Sequence, residues 1–175
     1  LAVIGALALA LVASLVRGVS EPPVELPTTR VVVDLLDVVL EPPSLVHVSR
    51  LGRRFGFVGT LGGFQGVFVR DADEQAFRHL AGTEGALFMS FSPDEEWIAF
   101  ASPDGSISRV PVGGGAPRVI QPAVGGSPAL FLNWEWDGSI YYSTFPLSTG
   151  NLQVLRVPDS GGEPEALFES ASFLY

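Results

Sequence analysis

The clearest pattern in the chain is a segment at residues 88–117 that reads FMSFSPDEEWIAFASPDGSISRVPVGGGAP. An apolar run leads into the turn Ser92-Pro93-Asp94, an aromatic-rich run starts at Trp97, and a later run ends in Arg-Val-Pro before consecutive glycines. Proline fixes a backbone dihedral, aspartate hydrogen-bonds nearby backbone groups, and glycine allows a tight reversal. The pattern predicts short antiparallel strands at residues 86–91, 97–102, 106–112 and 118–120.

The same pattern repeats on both sides of this segment. The sequences SRLGRRFGFV (49–58), SPDEEWIAFA (92–101) and EWDGSIYYST (135–144) align at a spacing of 43 residues. A second pair, RVPVGGGAP (109–117) and RVPDSGGEP (156–164), is 47 residues apart. Repeats of about 40–47 residues with four strands each are typical of β-propeller blades. The residues that mark the repeat are Ser92, Pro93, Asp94, Trp97, Asp137, Gly138, Gly114, Gly115, Gly161 and Gly162.

The predicted fold is therefore all-β, an incomplete β-propeller of about three four-stranded blades. Strand alternation places Ile98 with Phe100, and Ile140 with Tyr142, on faces that should meet a neighbouring blade. Because propellers close with about four to eight blades, we expect three blades alone to expose apolar surface and to be poorly soluble. The expected blades cover approximately residues 45–85, 86–125 and 126–168, and residues 169–175 start the next one.

The first sixteen residues, LAVIGALALALVASLV, carry no charge and are followed by Arg17. A helix of this length reaches roughly 24 Å at about 1.5 Å per residue, which is short of a bilayer core of about 30 Å. The chain also starts at Leu1 and not at Met. We expect residues 1–17 to be a truncated transmembrane helix, with the hydrophobic region of a signal peptide as the alternative. Residues 18–44 predict a Pro-rich juxtamembrane linker with a lead-in strand at 30–33.

The chain is acidic, with 10 Lys plus Arg against 19 Asp plus Glu and a formal net charge of −9. Binding to nucleic-acid phosphates requires clustered basic residues, so no nucleic-acid partner is expected. The densest basic group, Arg50, Arg53 and Arg54, is interpreted as a solvated hairpin tip. The absence of Cys excludes disulfides and thiolate metal sites but is compatible with any compartment.

No catalytic motif is visible, so no catalytic, cofactor-binding or metal-binding residue is predicted and the chain is not expected to be an enzyme. It contains no lysine and none of the Gly-rich, catalytic-loop or metal-binding motifs of a protein kinase. Glycines 113–115 are not followed by the Gly-Lys-Ser/Thr of a phosphate-binding loop, and the blade pattern already accounts for them.

Other candidate residues favour structural roles. His47 and His79 lack the spacing of a catalytic triad or a metal site, and residues 71–74 lack the Gly and distal Glu of a calcium loop. These acidic residues are interpreted as a solvated turn. Trp134 and Trp136 alternate, which favours one buried strand face over an aromatic ligand surface.

Residues 67–117 resemble the TolB-like, WD-related propeller repeats of bacteria. They are similar in particular to the version that follows the transmembrane helix of bacterial receptor-type serine/threonine protein kinases. Arg70-Asp71, Gly-Thr-Glu-Gly at 82–85, and Ser92-Pro93-Asp94 with Trp97 match that version in order and approximate spacing. The resemblance extends from Leu45 to the end of the chain.

The Ser-Pro-Asp-Gly turn of that family is not fully kept. It reads Ser-Arg-Leu-Gly at residues 49–52, has Glu95 in place of Gly in the second unit, and keeps only Asp137-Gly138 in the third. These departures concern the geometry of the turns and do not change the predicted fold.

The resemblance implies a non-catalytic extracytoplasmic sensor or protein-interaction module. It would belong to a single-pass protein of the cell membrane, with the propeller on the periplasmic side and a protein or peptide as ligand. Any kinase domain would precede Leu1. The alternative is a secreted or periplasmic TolB-like propeller, or the non-catalytic propeller of a serine peptidase of the prolyl-oligopeptidase type. Propeller repeats indicate architecture and not ligand.

Overall fold

The computed structural model describes residues 38–39, 45–123, 127–146 and 150–170. The predictions of a transmembrane helix at 1–17 and a strand at 30–33 fall outside these residues, as does most of the segment 169–175. Within the described part of the chain, no helix is long and apolar enough to cross a membrane.

The described residues form thirteen β-strands in three antiparallel sheets, called blades 1 to 3 here. Blade 1 contains β1 (Val38–Val39), β2 (His47–Val48), β3 (Arg54–Leu61), β4 (Phe64–Asp71) and β5 (Arg78–His79). Blade 2 contains β6 (Phe88–Phe91), β7 (Trp97–Ala101), β8 (Ile107–Pro111) and β9 (Arg118–Gln121). Blade 3 contains β10 (Ala129–Trp134), β11 (Ser139–Thr144), β12 (Gln153–Pro158) and β13 (Glu165–Glu169).

The prediction of an all-β fold built from four-stranded antiparallel blades is confirmed. In blades 2 and 3 the strands pair in chain order. In blade 1, β1 and β2 pair with the same edge of β3, where Val38 lies opposite Leu61 and His47 lies opposite Gly56. Blade 1 is therefore also four strands wide, with two segments sharing its first strand position. The four strands predicted for blade 2 begin and end within about two residues of the expected positions.

The strand β7 is buried on both of its faces, and its side chains explain how the blades stack. Ile98 and Phe100 lie in the core cluster shared with blade 1, whereas Ala99 and Ala101 lie in the cluster shared with blade 3. Small residues suit the second face because bulky side chains of blade 3, Ile140 among them, fill the space.

The predicted faces are thus confirmed for both pairs of residues. Ile98 and Phe100 pack towards blade 1, and Ile140 and Tyr142 pack towards blade 2. Complete burial of one such isoleucine contributes about 1.5–3 kcal/mol. The contacts between blades therefore supply the hydrophobic core.

Candidate binding site

Three turns form one end of the blades, called the turn end here. They join β2 to β3 at residues 49–53, β6 to β7 at 92–96 and β10 to β11 at 135–138. Each turn is closed by the same backbone bond: the N–H of Ser49, Ser92 and Glu135 donates to a carbonyl at the start of the next strand, at 2.8 to 2.9 Å. The spacing of 43 residues in the sequence is therefore a repeat in the structure.

The fourth residue of each turn has a left-handed backbone. The turns that depart from Ser-Pro-Asp-Gly in sequence therefore share the same backbone conformation at this position. The φ angles are 69° at Gly52, 61° at Glu95 and 74° at Gly138. Left-handed backbone costs a residue with a side chain about 1–2 kcal/mol, so glycine is the usual choice. Glu95 keeps the turn geometry of a glycine in spite of that cost.

The residues that marked the repeat also hydrogen-bond within the turns. The Ser92 hydroxyl oxygen accepts the Trp97 N–H at 2.9 Å, and Asp94 Oδ1 accepts the Glu96 N–H at 3.0 Å. In blade 3, Asp137 accepts the Ser139 N–H at 2.9 Å. Burial of Asp94 is the largest influence on its pKa and raises it. Hydrogen bonds from the Ser92 hydroxyl and from the backbone of Glu96 and Asp94, together with the charge of Arg109, outweigh burial and leave the pKa below its usual value.

The paired glycines form a second set of matching turns. The φ angles of Gly114 and Gly115 are 93° and 141°, and those of Gly161 and Gly162 are 89° and 142°. The loops that join β8 to β9 and β12 to β13 therefore reverse direction in the same way. The structure gives these glycines a role in chain reversal.

Glu95 uses its side chain to join two blades. The carboxylate accepts the Leu51 N–H at 2.6 Å and the Arg53 Nε–H at 3.2 Å, both across the junction with blade 1. Its side chain is fully buried. Burial is the largest influence on the Glu95 pKa and raises it. Hydrogen bonds from Leu51, Ser49 and Arg53 together outweigh burial, so the pKa lies below its usual value.

Arg50, Arg53 and Arg54 lie at the hairpin turn between β2 and β3, and Arg50 and Arg53 are exposed, as the interpretation of a solvated hairpin tip expects. Each of the three arginines also has a protein partner. Arg53 binds Glu95, and Arg54 Nε donates to Asp71 at 2.7 Å. The guanidinium carbon of Arg50 lies 3.2 Å from the centroid of the Trp136 ring. These partners are 17 to 86 residues away in the sequence, so no local pattern reveals them.

The expectation that Trp134 and Trp136 share a buried strand face is wrong. Strand β10 ends at Trp134, which is 7% exposed, whereas Trp136 lies in the following turn and is 60% exposed. The alternation therefore stops at the strand end. An exposed indole beside an arginine is a common element of a binding surface.

A cavity of about 210 Å³ lies at the turn end and is walled by all three blades. Its lining comes from the first strand and the following turn of each blade, and it includes His47, Arg50, Ser90, Asn133, Glu135 and Trp136. Arg50 belongs to blade 1 and Trp136 to blade 3, so their contact crosses the turn of blade 2 beside this cavity. We treat this cavity as the candidate binding site and call it the turn-end cavity.

The two histidines lie apart from one another. His47 lines the turn-end cavity, and burial lowers its pKa, which favours the neutral imidazole. His79 packs against Phe64 and Phe68. Among the residues that the structure describes, no group of three or more His, Cys, Asp and Glu side chains could hold a metal ion.

No protein-family model and no curated protein sequence matches the chain. Solved structures do match in fold. A structure described as TolB from Agrobacterium tumefaciens is 25% identical at a TM-score of 0.62, and the match covers 73% of this chain and 50% of that one. The β-propeller domain of the Trilobed protease from Pyrococcus furiosus is 17% identical at a TM-score of 0.51, over 74% and 44% of the two chains.

A nidogen/laminin complex also contains a similar chain, at 8% identity and a TM-score of 0.60, over 71% of this chain and 47% of that one. Identities this low show the fold alone. The comparisons support a TolB-like β-propeller fold, and the chain spans about half the length of the TolB structure.

Proposed function

We propose that this chain is the non-catalytic sensor or protein-interaction propeller of a membrane-anchored bacterial protein, displayed outside the cytoplasm. The observation that carries the binding role is the turn-end cavity, which three blades wall together. Propeller loops converge at such an end, so one ligand can contact several blades. The exposed Trp136 ring and the Arg50 guanidinium beside it are groups that are enriched at protein interfaces.

The membrane anchor and the kinase parent are supported by the sequence. An uncharged apolar segment, a Pro-rich spacer and the propeller follow one another in the order typical of receptor-type serine/threonine kinases. A propeller displayed in this way senses a protein or peptide outside the membrane, and its signal passes through the helix to a kinase domain ahead of Leu1.

A second candidate is a secreted or periplasmic TolB-like propeller, which the likeness to the Agrobacterium structure favours. In that case the apolar segment would be a signal peptide and the mature protein would leave the membrane. The peptidase propellers resemble this chain in fold alone, so they add no argument for a peptidase.

Topology can be tested by cysteine labelling, because the chain contains no Cys of its own. Ser160→Cys introduces a thiol in the exposed turn after β12, and Ser108→Cys introduces one at a position that is 7% exposed. In intact spheroplasts a membrane-impermeant maleimide should label Ser160→Cys, and it should label Ser108→Cys only after denaturation.

The outcome separates the two candidates. Labelled protein that stays in the membrane after a carbonate wash supports the anchored sensor, whereas protein found in the medium or in the periplasmic fraction released when the spheroplasts are made supports the secreted propeller. Ser160→Cys that is labelled only after cell lysis would contradict both, because the propeller would then face the cytoplasm.

A further inference from the structure

Arg50 has hydrogen-bonding capacity that the described residues leave unused. Its guanidinium stacks on Trp136, and no hydrogen bond or ion pair joins it to any other described residue. A guanidinium carries five N–H donors in one plane, and none of the Arg50 donors is hydrogen-bonded to a described residue. The arrangement suits a carboxylate, which can accept two parallel N–H bonds.

The rest of the turn-end cavity favours a single carboxylate over a strongly acidic ligand. Glu135 lines the cavity and accepts a hydrogen bond from the Asn133 amide at 2.5 Å. Its carboxylate would repel a second acidic group but would accept an N–H close to the first one. A C-terminal residue has this combination, a carboxylate beside a peptide N–H.

A second cavity of about 160 Å³ shares one lining residue, His47, with the turn-end cavity. Its lining is mostly apolar and includes Phe88, Met89 and Phe131. Phe131 is 68% exposed, and its ring centroid lies 6.0 Å from that of Phe88. The neighbouring cavity therefore offers exposed apolar surface to a side chain whose backbone is held near Arg50.

We propose that the two cavities together bind the C-terminal residue of a protein or peptide. Arg50 holds the terminal carboxylate, Glu135 accepts the last peptide N–H, and an apolar side chain packs against Phe88 and Phe131. This assignment rests on the proposed interaction function and specifies the ligand class of the same site. Trp136 is a positioning residue, because its ring orients the guanidinium.

The test uses fluorescein-labelled pentapeptides and the purified full chain. The peptide Gly-Gly-Gly-Ala-Phe with a free carboxylate is compared with its C-terminal amide and with Gly-Gly-Gly-Ala-Gly, and Kd is measured by fluorescence polarisation. The free acid should bind at least about tenfold more tightly than the amide, because a charge-assisted bond is lost. Equal Kd values for acid and amide, or no binding of any peptide up to 1 mM, as an order-of-magnitude limit, would overturn the assignment.

Three variants locate the effect. Arg50→Gln should abolish the difference between acid and amide, whereas Arg118→Gln, which removes an exposed positive charge on β9, should preserve it. Phe131→Ser should reduce the preference for Phe over Gly at the last position and leave the acid–amide difference intact. Equal losses in Arg50→Gln and Arg118→Gln would show a long-range charge effect and contradict the assignment.

Free phenylalanine offers the same carboxylate and side chain, so it is used as a competitor. Weaker competition than that of unlabelled Gly-Gly-Gly-Ala-Phe supports a peptide terminus, and equal competition would reject it in favour of a free amino acid. Because these assays do not depend on membrane topology, their failure leaves the labelling result, and with it the proposed location, unaffected.

Discussion

The two junctions between blades are built differently. The junction of blades 1 and 2 combines an apolar cluster with the fully buried carboxylate of Glu95, which binds the turn of blade 1. The junction of blades 2 and 3 has an apolar cluster too, but its ion pair, Arg109 with Asp159, spans 3.9 Å and is partly exposed. A buried hydrogen bond across this second junction joins the Trp134 N–H to the Ser90 hydroxyl at 3.0 Å.

This difference shows where charge contributes to the fold. A buried carboxylate with several donors is costly to disturb, because the donors it satisfies would be left without a partner. An exposed ion pair contributes about 0–1 kcal/mol and is screened by salt. We therefore expect the first junction to depend on pH and the second to depend mainly on apolar packing.

The largest effect is expected from a cavity in the second junction. Ile140 is fully buried there, and Ile140→Ala should lower the free energy of unfolding by about 2–5 kcal/mol. Urea unfolding followed by tryptophan fluorescence measures this, because Trp134 belongs to the same cluster. Val119→Ala, at a position that is 66% exposed, is the control and should change stability by less than about 0.5 kcal/mol.

The proposed difference between the two junctions would be wrong if the destabilisation by Ile140→Ala depended strongly on pH. No ionisable side chain belongs to the apolar cluster apart from Tyr142, and burial raises the pKa of Tyr142 to about 12. The destabilisation by Ile140→Ala should therefore be the same at pH 7 and at mildly acidic pH. A loss that disappeared on acidification would mean that the two junctions do not differ as described.

The next effect is expected from Glu95→Gln. The amide keeps the length of the side chain but loses the charge, and its NH₂ group cannot accept the hydrogen bonds that Leu51 and Arg53 donate. The free energy of unfolding should therefore fall by about 1–3 kcal/mol at pH 7. Glu96→Gln removes the same charge from the neighbouring exposed residue and should have little effect. Glu95→Gly also removes the carboxylate, but it relieves the cost of the left-handed backbone. Comparing Glu95→Gly with Glu95→Gln therefore separates the contribution of the backbone from that of the carboxylate.

The pH dependence follows from the lowered pKa of Glu95. Above its ordinary value of 4.5 the carboxylate is ionised in the folded and unfolded states, and its contribution is complete. As the pH falls below that value, the unfolded state takes up the proton first, and the contribution is lost by the time the pH passes the folded-state pKa. The stability gap between wild type and Glu95→Gln should therefore narrow in acid. A gap that is constant with pH would contradict an ionised, buried Glu95.

The sequence predicted the features that residues close together in the chain determine. The turn at Ser92-Pro93-Asp94 and the start of β7 at Trp97 follow from residues within a few positions of one another, and the structure has both. The strand faces followed as well, because alternation along β7 and β11 fixes which residues pack together.

The sequence could not predict contacts between blades. In the sequence, Glu95 was only a departure from the glycine of the Ser-Pro-Asp-Gly turn. Its contact with Leu51 could not be predicted, because Leu51 lies 44 residues away on another blade. Trp136 looked like part of a strand because alternation does not show where β10 ends. The turn-end cavity needs Arg50 and Trp136 together, and only the stacking of three blades brings them into contact.

The smallest effect is expected from Asp159→Asn, which removes the charge of the partly exposed ion pair with Arg109 but keeps the size of the side chain. Because Arg109 also stacks over Trp97, with its guanidinium carbon 4.9 Å from the ring centroid, the arginine stays in place without its partner. The loss of stability should be at most about 1 kcal/mol in low salt and should vanish near 1 M NaCl, where the Debye length is about 3 Å. Urea unfolding at the two salt concentrations measures it. A loss that equals that of Glu95→Gln and persists in high salt would show that charge contributes alike to both junctions.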